Sequence, residues 1–446
     1  MSEHRIAIVC FLPDTGHVLP LLRLARFLCN HMTCQVTCFL PSKFESTVRE
    51  YGFQYCCLRS LSKQSPLGVS AKLSNRSIFY NEFLSFDIND CYWISLREAV
   101  SHELGYLVKT LRIVQPHFLL CDSHVFLDLY RRLAGCSGAK LIINRSEGTH
   151  RWKRRAFIAA YGLSDRQNWV QLLVEKVAWI ARLGCRCWRV VRHPKRRQIT
   201  QAAERRAEIV FKNYTASKTD LLYVTSGLAV LEQSTDIMEL GLSKSREVVL
   251  APIVNIAETP PLPSALEEWL VKRESGRVVY VCFGTMMTLS ESYLRELVKG
   301  FIDAQVSVIW SLPRPQLKLL AKHGLTDNFR VEEFVPQTSL LASKKIGCFV
   351  THGGGGSAQE AVVYGKPVLC IPFMWDQPYN CSLLVRAGIG RRLSKRHITR
   401  HHIAKEIIEL LDNPIYAERA RCLADKVRKL QNSNRQSEWI HELLVR

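Results

Sequence analysis

The chain has 446 residues, 47% hydrophobic and 23% charged, with a formal net charge of +21. That length exceeds one compact core and suits two domains, and the composition excludes a disordered or fibrous class. The 16 cysteines are scattered, several in apolar stretches and none in a CxxC pair, so buried reduced thiols are expected rather than a disulfide framework or a zinc site.

The opening MSEHRIAIVCFLPDTGH lacks the long apolar region and small-residue cleavage site of a secretory signal, and no uncharged apolar run is long enough to span a bilayer. A cytoplasmic protein without signal peptide or transmembrane helix is expected. RIAIVCFL reads as a buried strand, PDTGH as a loop and VLPLLRLARFLCNH as an amphipathic helix; TCQVTCFLP is a second strand, and PHFLLCDSH and AKLIINRS repeat the strand-then-loop pattern. Strands alternating with helices predict a parallel sheet covered on both faces.

From Arg151 to Arg206 there are 15 Lys and Arg against 3 Asp and Glu, so a net +12 of the total +21 lies in one segment. On helical spacing Trp169, Leu172, Leu173, Val177, Ile180 and Leu183 make an apolar side, with Lys176, Arg182, Arg186 and Arg189 on a polar one. Peripheral contact with an anionic membrane fits this pattern, and so does an ordinary helix with its apolar face on the core. Nucleic acid is not expected as a partner, because no RNA- or DNA-binding motif accompanies the charge.

Pro260, Pro261 and Pro263 break any helix or central strand and place a linker at 246–265, between an N-terminal domain of 1–245 and a C-terminal domain of 266–428. Strand-helix alternation then restarts with RVVYVCFGT, SESYLRELVKGFIDA, SVIWSLP, GCFVTH, SAQEAVVYG and PVLCIP. The predicted fold class is α/β: two Rossmann-like, doubly wound parallel-sheet domains facing across a cleft. Ligands sit beyond the carboxyl ends of strands in such sheets, which puts PDTGH and THGGGGS in the cleft.

The THGGGGS run, between a strand and a helix starting near Ser357, has the layout of an anion site. Glycines let backbone N–H groups approach oxygen closely, and a helix N-terminus adds about half a positive charge. His352 can donate a further hydrogen bond, and Ser357 can cap the helix or contact a phosphate. A glycine run alone is equally well a flexible turn, and the GxxxxGK[ST] spacing of a P-loop is absent.

The stretch FVPQTSLLASKKIGCFVTHGGGGSAQEAVVYGKPVLCIPFMWDQPYNCSLLVRAGIGRRL resembles the donor-binding signature of UDP-dependent glycosyltransferases of the GT-B fold. PPLPSALEEWLVKRESGRVVYVCFGT and GHVLPLLRLARFL resemble further segments of that family. The resemblance implies that Phe334 stacks on uracil where Trp is often found, that the backbone of Val335 meets the uracil edge, and that Gln337 lies near the ribose. It implies diphosphate contacts from His352, Gly354, Gly356 and Ser357, ribose contacts from Glu360, and donor-sugar contacts from Asp376 and Gln377. The loop at Gly284 and Thr285 would close over the diphosphate, and the segment 429–446 would form a helix returning to the N-terminal domain. The chain departs from the plant pattern at Gly355 and Gly356, where that pattern has Trp and Asn.

Sugar transfer with inversion needs a base for the acceptor hydroxyl, and neutral imidazole is available at cellular pH. His17, in the loop after the first strand, matches the family's base, although a loop histidine is commonly just solvated. Asp122 matches the aspartate that orients it, with a helix N-cap as the plainer reading. No DxD motif is present, so no metal and no cofactor beyond the UDP-sugar co-substrate are expected. The expected function is an inverting transferase that moves a hexose, glucose first, from a UDP-sugar to a hydroxyl of a small lipophilic acceptor. The alternatives are a membrane-surface sterol or lipid glycosyltransferase and a non-catalytic nucleotide-binding scaffold.

Overall fold

The structure is a computed structural model and describes residues 3–12, 14–63, 78–122, 126–145, 194–212, 221–226, 247–254, 259–284, 287, 289–373, 376–395, 398–433 and 438. The first sheet has strands β1 (His4–Val9), β2 (Cys34–Leu40), β3 (Gln54–Cys57), β4 (Phe118–Asp122), β5 (Lys140–Arg145), β6 (Leu221–Ser226) and β7 (Glu247–Leu250). All pair in parallel, in the order β3-β2-β1-β4-β5-β6-β7. Ile6 to Val9 and Phe118 to Cys121 are buried without alternation, as expected for strands covered on both faces. The accompanying helices are α1 (Thr15–His31), α2 (Glu45–Glu50), α3 (Arg59–Ser62), α4 (Ile78–Val114), α5 (Leu127–Ser137) and α6 (Pro194–Phe211).

The second sheet contains β8 (Val278–Cys282), β9 (Ser307–Ser311), β10 (Phe329–Glu332), β11 (Ile346–Thr351), β12 (Val368–Cys370) and β13 (Gly390–Arg392), all parallel, in the order β10-β9-β8-β11-β12-β13. Helices α7 (Ser264–Val271), α8 (Glu291–Asp303), α9 (Arg314–Leu320), α10 (Gln337–Ala342), α11 (Gly355–Val363), α12 (Gln377–Arg386), α13 (Arg400–Asp412) and α14 (Pro414–Gln431) surround it. Side-chain direction alternates along a strand, and β8 accordingly divides its residues between two cores. Tyr280 stacks on Phe349 under α11, α12 and α14, whereas Val279 and Val281 face Trp310, α8 and α13.

Both sheets reverse their winding direction once, between β1 and β4 in the first and between β8 and β11 in the second. A crevice opens beyond the carboxyl ends of the strands at such a point. Each of the two loops singled out in the sequence, PDTGH and THGGGGS, follows one of these strands.

Several sequence expectations are modified. Residues 247–250, taken as the start of the linker, form the seventh strand of the first sheet, so the chain leaves that sheet only after Leu250. Ala251 and Val254 already pack in the core of the second domain. Helix α14 packs on the second domain through Ala420, Leu423, Val427 and Leu430, and it ends at Gln431, so only the first three residues of the 429–446 segment expected to return to the N-terminal domain lie on it. Residues 434–437 and 439–446 lie outside the described residues, as does 151–193 of the basic segment. Its remainder lies on α6, where Arg206 Nε donates to Ser101 Oγ of α4 at 3.0 Å. Among the described residues no helix is long and apolar enough to cross a membrane, and the cysteines whose side chains are described form no disulfide.

Candidate functional site

At the first switch point, the Asp14 side chain caps α1 by accepting from His17 N at 3.3 Å. His17 therefore sits in the first turn of the helix, three residues after the cap, and not in a loop as expected. Asp122 is the last residue of β4, one place beyond the Val9–Cys121 pair, so the N-cap reading does not hold. The two side chains meet with His17 Nδ1 3.1 Å from Asp122 Oδ2, the histidine 24% and the aspartate 4% exposed. That oxygen makes no aligned hydrogen bond; such contacts commonly tighten only when substrate binds. Burial raises the Asp14 carboxyl above its ordinary pKa, against the pull of His17. The other carboxylate oxygen, Asp122 Oδ1, accepts from the hydroxyl of Tyr130 on α5 at 2.6 Å.

At the second switch point, β11 ends at Thr351, and Gly353 and Gly354 of the run that follows are sterically required. Gly353 has φ +79°, and a Cβ there would lie 2.3 Å from Cys381 Sγ of α12. Gly284, just after β8, has φ +72° and would place its Cβ 3.0 Å from the His352 ring. A Cβ on Gly354 would come within 2.6 Å of His352 Nε2, so the ring is held between two bare stretches of backbone. Burial lowers the His352 pKa to about 4, leaving a neutral hydrogen-bond donor near pH 7.

Helix α11 begins at Gly355 with Gly354 as its N-cap, two residues earlier than expected. Ser357 thus lies inside the first turn and does not cap it; its Oγ accepts from Gln337 Nε2 at 3.2 Å. The N–H groups of Gly355, Gly356 and Ser357 belong to the first turn and have no partner within the helix. A Cβ on Gly356 would meet nothing within 4 Å, so the absent side chain leaves open space beside those donors.

Phe334 follows β10 and is 81% exposed, while the neighbouring Val335 is buried. Gln337 Nε2 donates to Glu360 Oε2 at 2.6 Å, and its Oε1 accepts from Tyr280 at 3.1 Å. The other oxygen of Glu360 accepts from Arg23 of α1 at 2.8 Å. A residue of the first domain thus reaches the carboxylate expected to hold the ribose. Arg23 lies six residues beyond His17, about 9 Å along the helix, so the same helix serves both switch points.

Gln377 is buried and its Oε1 accepts from Phe373 N at 2.9 Å, turned into the fold. Asp376 Oδ2 accepts from Asn380 at 2.7 Å, and the same amide donates to Gly353 O at 2.9 Å, tying the Asp376 turn to the glycine loop. Thr285 lies outside the described residues. Sequence reasoning passed over Arg23, Tyr130 and Asn380. Arg23 carried one signal: a charge wedged between Leu22 and Leu24, both buried on the apolar helix. The described residues contain no group of three or more His, Cys, Asp or Glu arranged to hold a metal ion.

A sequence model of the family described as UDP-glucoronosyl and UDP-glucosyl transferase matches residues 245–432. Cyanidin-3-O-glucoside 2-O-glucuronosyltransferase of Bellis perennis is 28% identical over 204 residues, 44% of this chain and 45% of that protein. UDP-glycosyltransferase 74C1 of Arabidopsis thaliana is 30% identical over 184 residues, 39% of each chain. The chain thus spans less than half the length of these two relatives. The structure of Os79 from O. sativa in complex with U2F and trichothecene superposes with a TM-score of 0.68, covering 99% of both chains at 20% identity. LpCGTa in complex with UDP gives 0.64 over 100% of both, also at 20% identity. The fold they share with this chain is GT-B, two doubly wound α/β domains.

Proposed function

We propose, for a chain that belongs to the UDP-glycosyltransferase family, that it transfers a hexose from a UDP-sugar to a hydroxyl of a small hydrophobic acceptor, with inversion at the anomeric carbon. The observation that carries this reading is the 3.1 Å approach of His17 Nδ1 to Asp122 Oδ2 at the first switch point. With Nδ1 turned to a carboxylate, Nε2 is the nitrogen that takes a proton, and the neighbouring negative charge stabilises the imidazolium that forms.

In the proposed step the acceptor hydroxyl loses its proton to His17 Nε2 as its oxygen bonds to the anomeric carbon. The bond from that carbon to the β-phosphate oxygen breaks, and UDP leaves with the electron pair. An α-linked donor gives a β-glycoside. Negative charge developing on the diphosphate is met by the first-turn N–H groups of α11 and by neutral His352, fixed dipoles that need not reorganise during the reaction. Phe334 offers its exposed ring to the base, and Glu360 accepts from the ribose hydroxyls. In this reading the charge is met by the protein itself, and EDTA leaves the rate unchanged.

The test is a pair of measurements on His17→Ala. UDP affinity, measured by calorimetry with EDTA present, stays at the native value, while transfer from a UDP-hexose to a lipophilic phenol or alcohol falls about 100- to 10,000-fold. A variant that keeps its transfer rate removes the base, and a native protein that binds no UDP removes the reading altogether. Screening UDP-glucose against other UDP-hexoses then assigns the sugar.

A further inference from the structure

We propose that Tyr130 is a positioning residue that holds Asp122 toward His17, so that α5 takes part in setting the pair. This role presupposes the reading of His17 as the base. Tyr130 is 1% exposed. Its ring stacks on Phe11 with centroids 4.9 Å apart and planes 7° from parallel, and Phe126 meets Phe11 edge-on at 5.4 Å. In a close-packed interior those contacts fix the ring, and with it the place of the hydroxyl.

The direction of the hydrogen bonds follows from what each group can do. The backbone N–H of Phe11 can only donate, and it lies 3.1 Å from the Tyr130 oxygen. The phenol has one proton of its own, and that proton goes to Asp122 Oδ1 at 2.6 Å. A one-way relay results, from Phe11 N–H to the Tyr130 hydroxyl to Asp122. With Oδ1 held from behind, Oδ2 is the oxygen left facing His17 Nδ1 at 3.1 Å. Burial and the nearby Asp122 charge push the phenol pKa well up, so it stays a neutral donor.

Phe11 belongs to the short connection from β1 into α1 that also carries Asp14 and leads directly into the first turn of the helix, where His17 stands. The one hydroxyl therefore locates both partners: Asp122 by direct donation, and the segment leading to His17 through Phe11 N. Each partner stands on a different element, and Tyr130 supplies a rigid reference common to both.

The test is Tyr130→Phe, with native protein and His17→Ala alongside, all labelled with 15N-histidine and saturated with UDP. In the native protein the His17 15N shifts report the Nδ1–H tautomer, which a carboxylate at Nδ1 selects. In Tyr130→Phe the Nε2–H tautomer gains population, kcat falls about tenfold, a change expected when a hydrogen bond to a charged group is lost, and UDP affinity and the donor KM hold. A variant with native tautomer and native kcat, and only a lower melting temperature, overturns the proposal. If His17→Ala transfers sugar at the native rate, the base reading fails, while the tautomer shift in Tyr130→Phe still decides whether Tyr130 holds Asp122. Should Tyr130→Phe not fold, 3-fluorotyrosine at this position keeps the ring and strengthens the donor; a displaced His17 Nδ1 shift supports the role and an unmoved one overturns it.

Discussion

His352 offers a sharp test because its charge state is set by burial alone. Its pKa is lowered to about 4 in the folded protein, against about 6.5 for an unperturbed histidine. Between those values the unfolded chain takes up a proton that the folded chain refuses, so stability falls as pH falls. The contribution is fully present above about pH 6.5, is lost progressively through the window, and is gone below about pH 4. A gap of about 2.5 pH units at about 1.4 kcal/mol each amounts to about 3 kcal/mol. The perturbation is His352→Gln, which keeps a side-chain amide donor in the space between Gly284 and Gly354 and cannot titrate. Urea unfolding of both proteins from about pH 7 to about pH 4 measures the difference. The native protein is expected to lose about 3 kcal/mol more than the variant over that range, with carboxylate titrations cancelling in the comparison. Parallel profiles would show that His352 is not held neutral, and its role as a neutral donor to phosphate would fall with them.

Three further outcomes are expected. Arg23→Met and Glu360→Gln, combined in a double-mutant cycle of unfolding free energies, should give a coupling of about 2 kcal/mol, because each single change leaves a partner of a nearly buried pair uncompensated; strict additivity would mean that the pair does not join the domains. Phe334→Ala should weaken UDP binding about tenfold through lost stacking on the base, yet leave the melting temperature unchanged, since the ring is 81% exposed; equal UDP affinity would remove Phe334 from the site. Gly353→Ala should destabilise the protein by about 2 kcal/mol or more, since it combines a positive φ with a Cβ 2.3 Å from Cys381 Sγ, and truncating Cys381 to Ala in the same chain should recover part of the loss. A fully stable Gly353→Ala protein would show that the loop does not need bare backbone there.

The two switch-point loops were legible because their signals are local. The change from an unbroken apolar strand to a helical stripe after Val9 marks the junction of β1 and α1 in the chain itself, although the helix was expected from Val18 and begins at Thr15, capped by Asp14. Between β11 and α11 the four glycines do the same. The strand β7 was not legible: EVVL is four residues long and adjoins the proline-rich stretch, so only its pairing with β6 identifies it. The start of α11 was misplaced by two residues because a helix can begin on glycine when its N–H groups are left for another partner, whereas residue preference favours the serine.

What the amino-acid order determined by itself was the α/β class, the repeated strand-helix alternation, and the residue types at the carboxyl ends of β1, β4 and β11. Each of these depends on periodicity or composition within a few turns of chain. Only the tertiary structure decided which side chains meet. Asp122 faces His17 because β4 pairs beside β1, and Tyr130 reaches Asp122 because α5 packs back against β4 and β5. Arg23 reaches Glu360 across 337 positions of sequence because α1 lies against α11. Those contacts arise from sheet order and domain packing, which gather groups distant in the chain, and no local pattern records them.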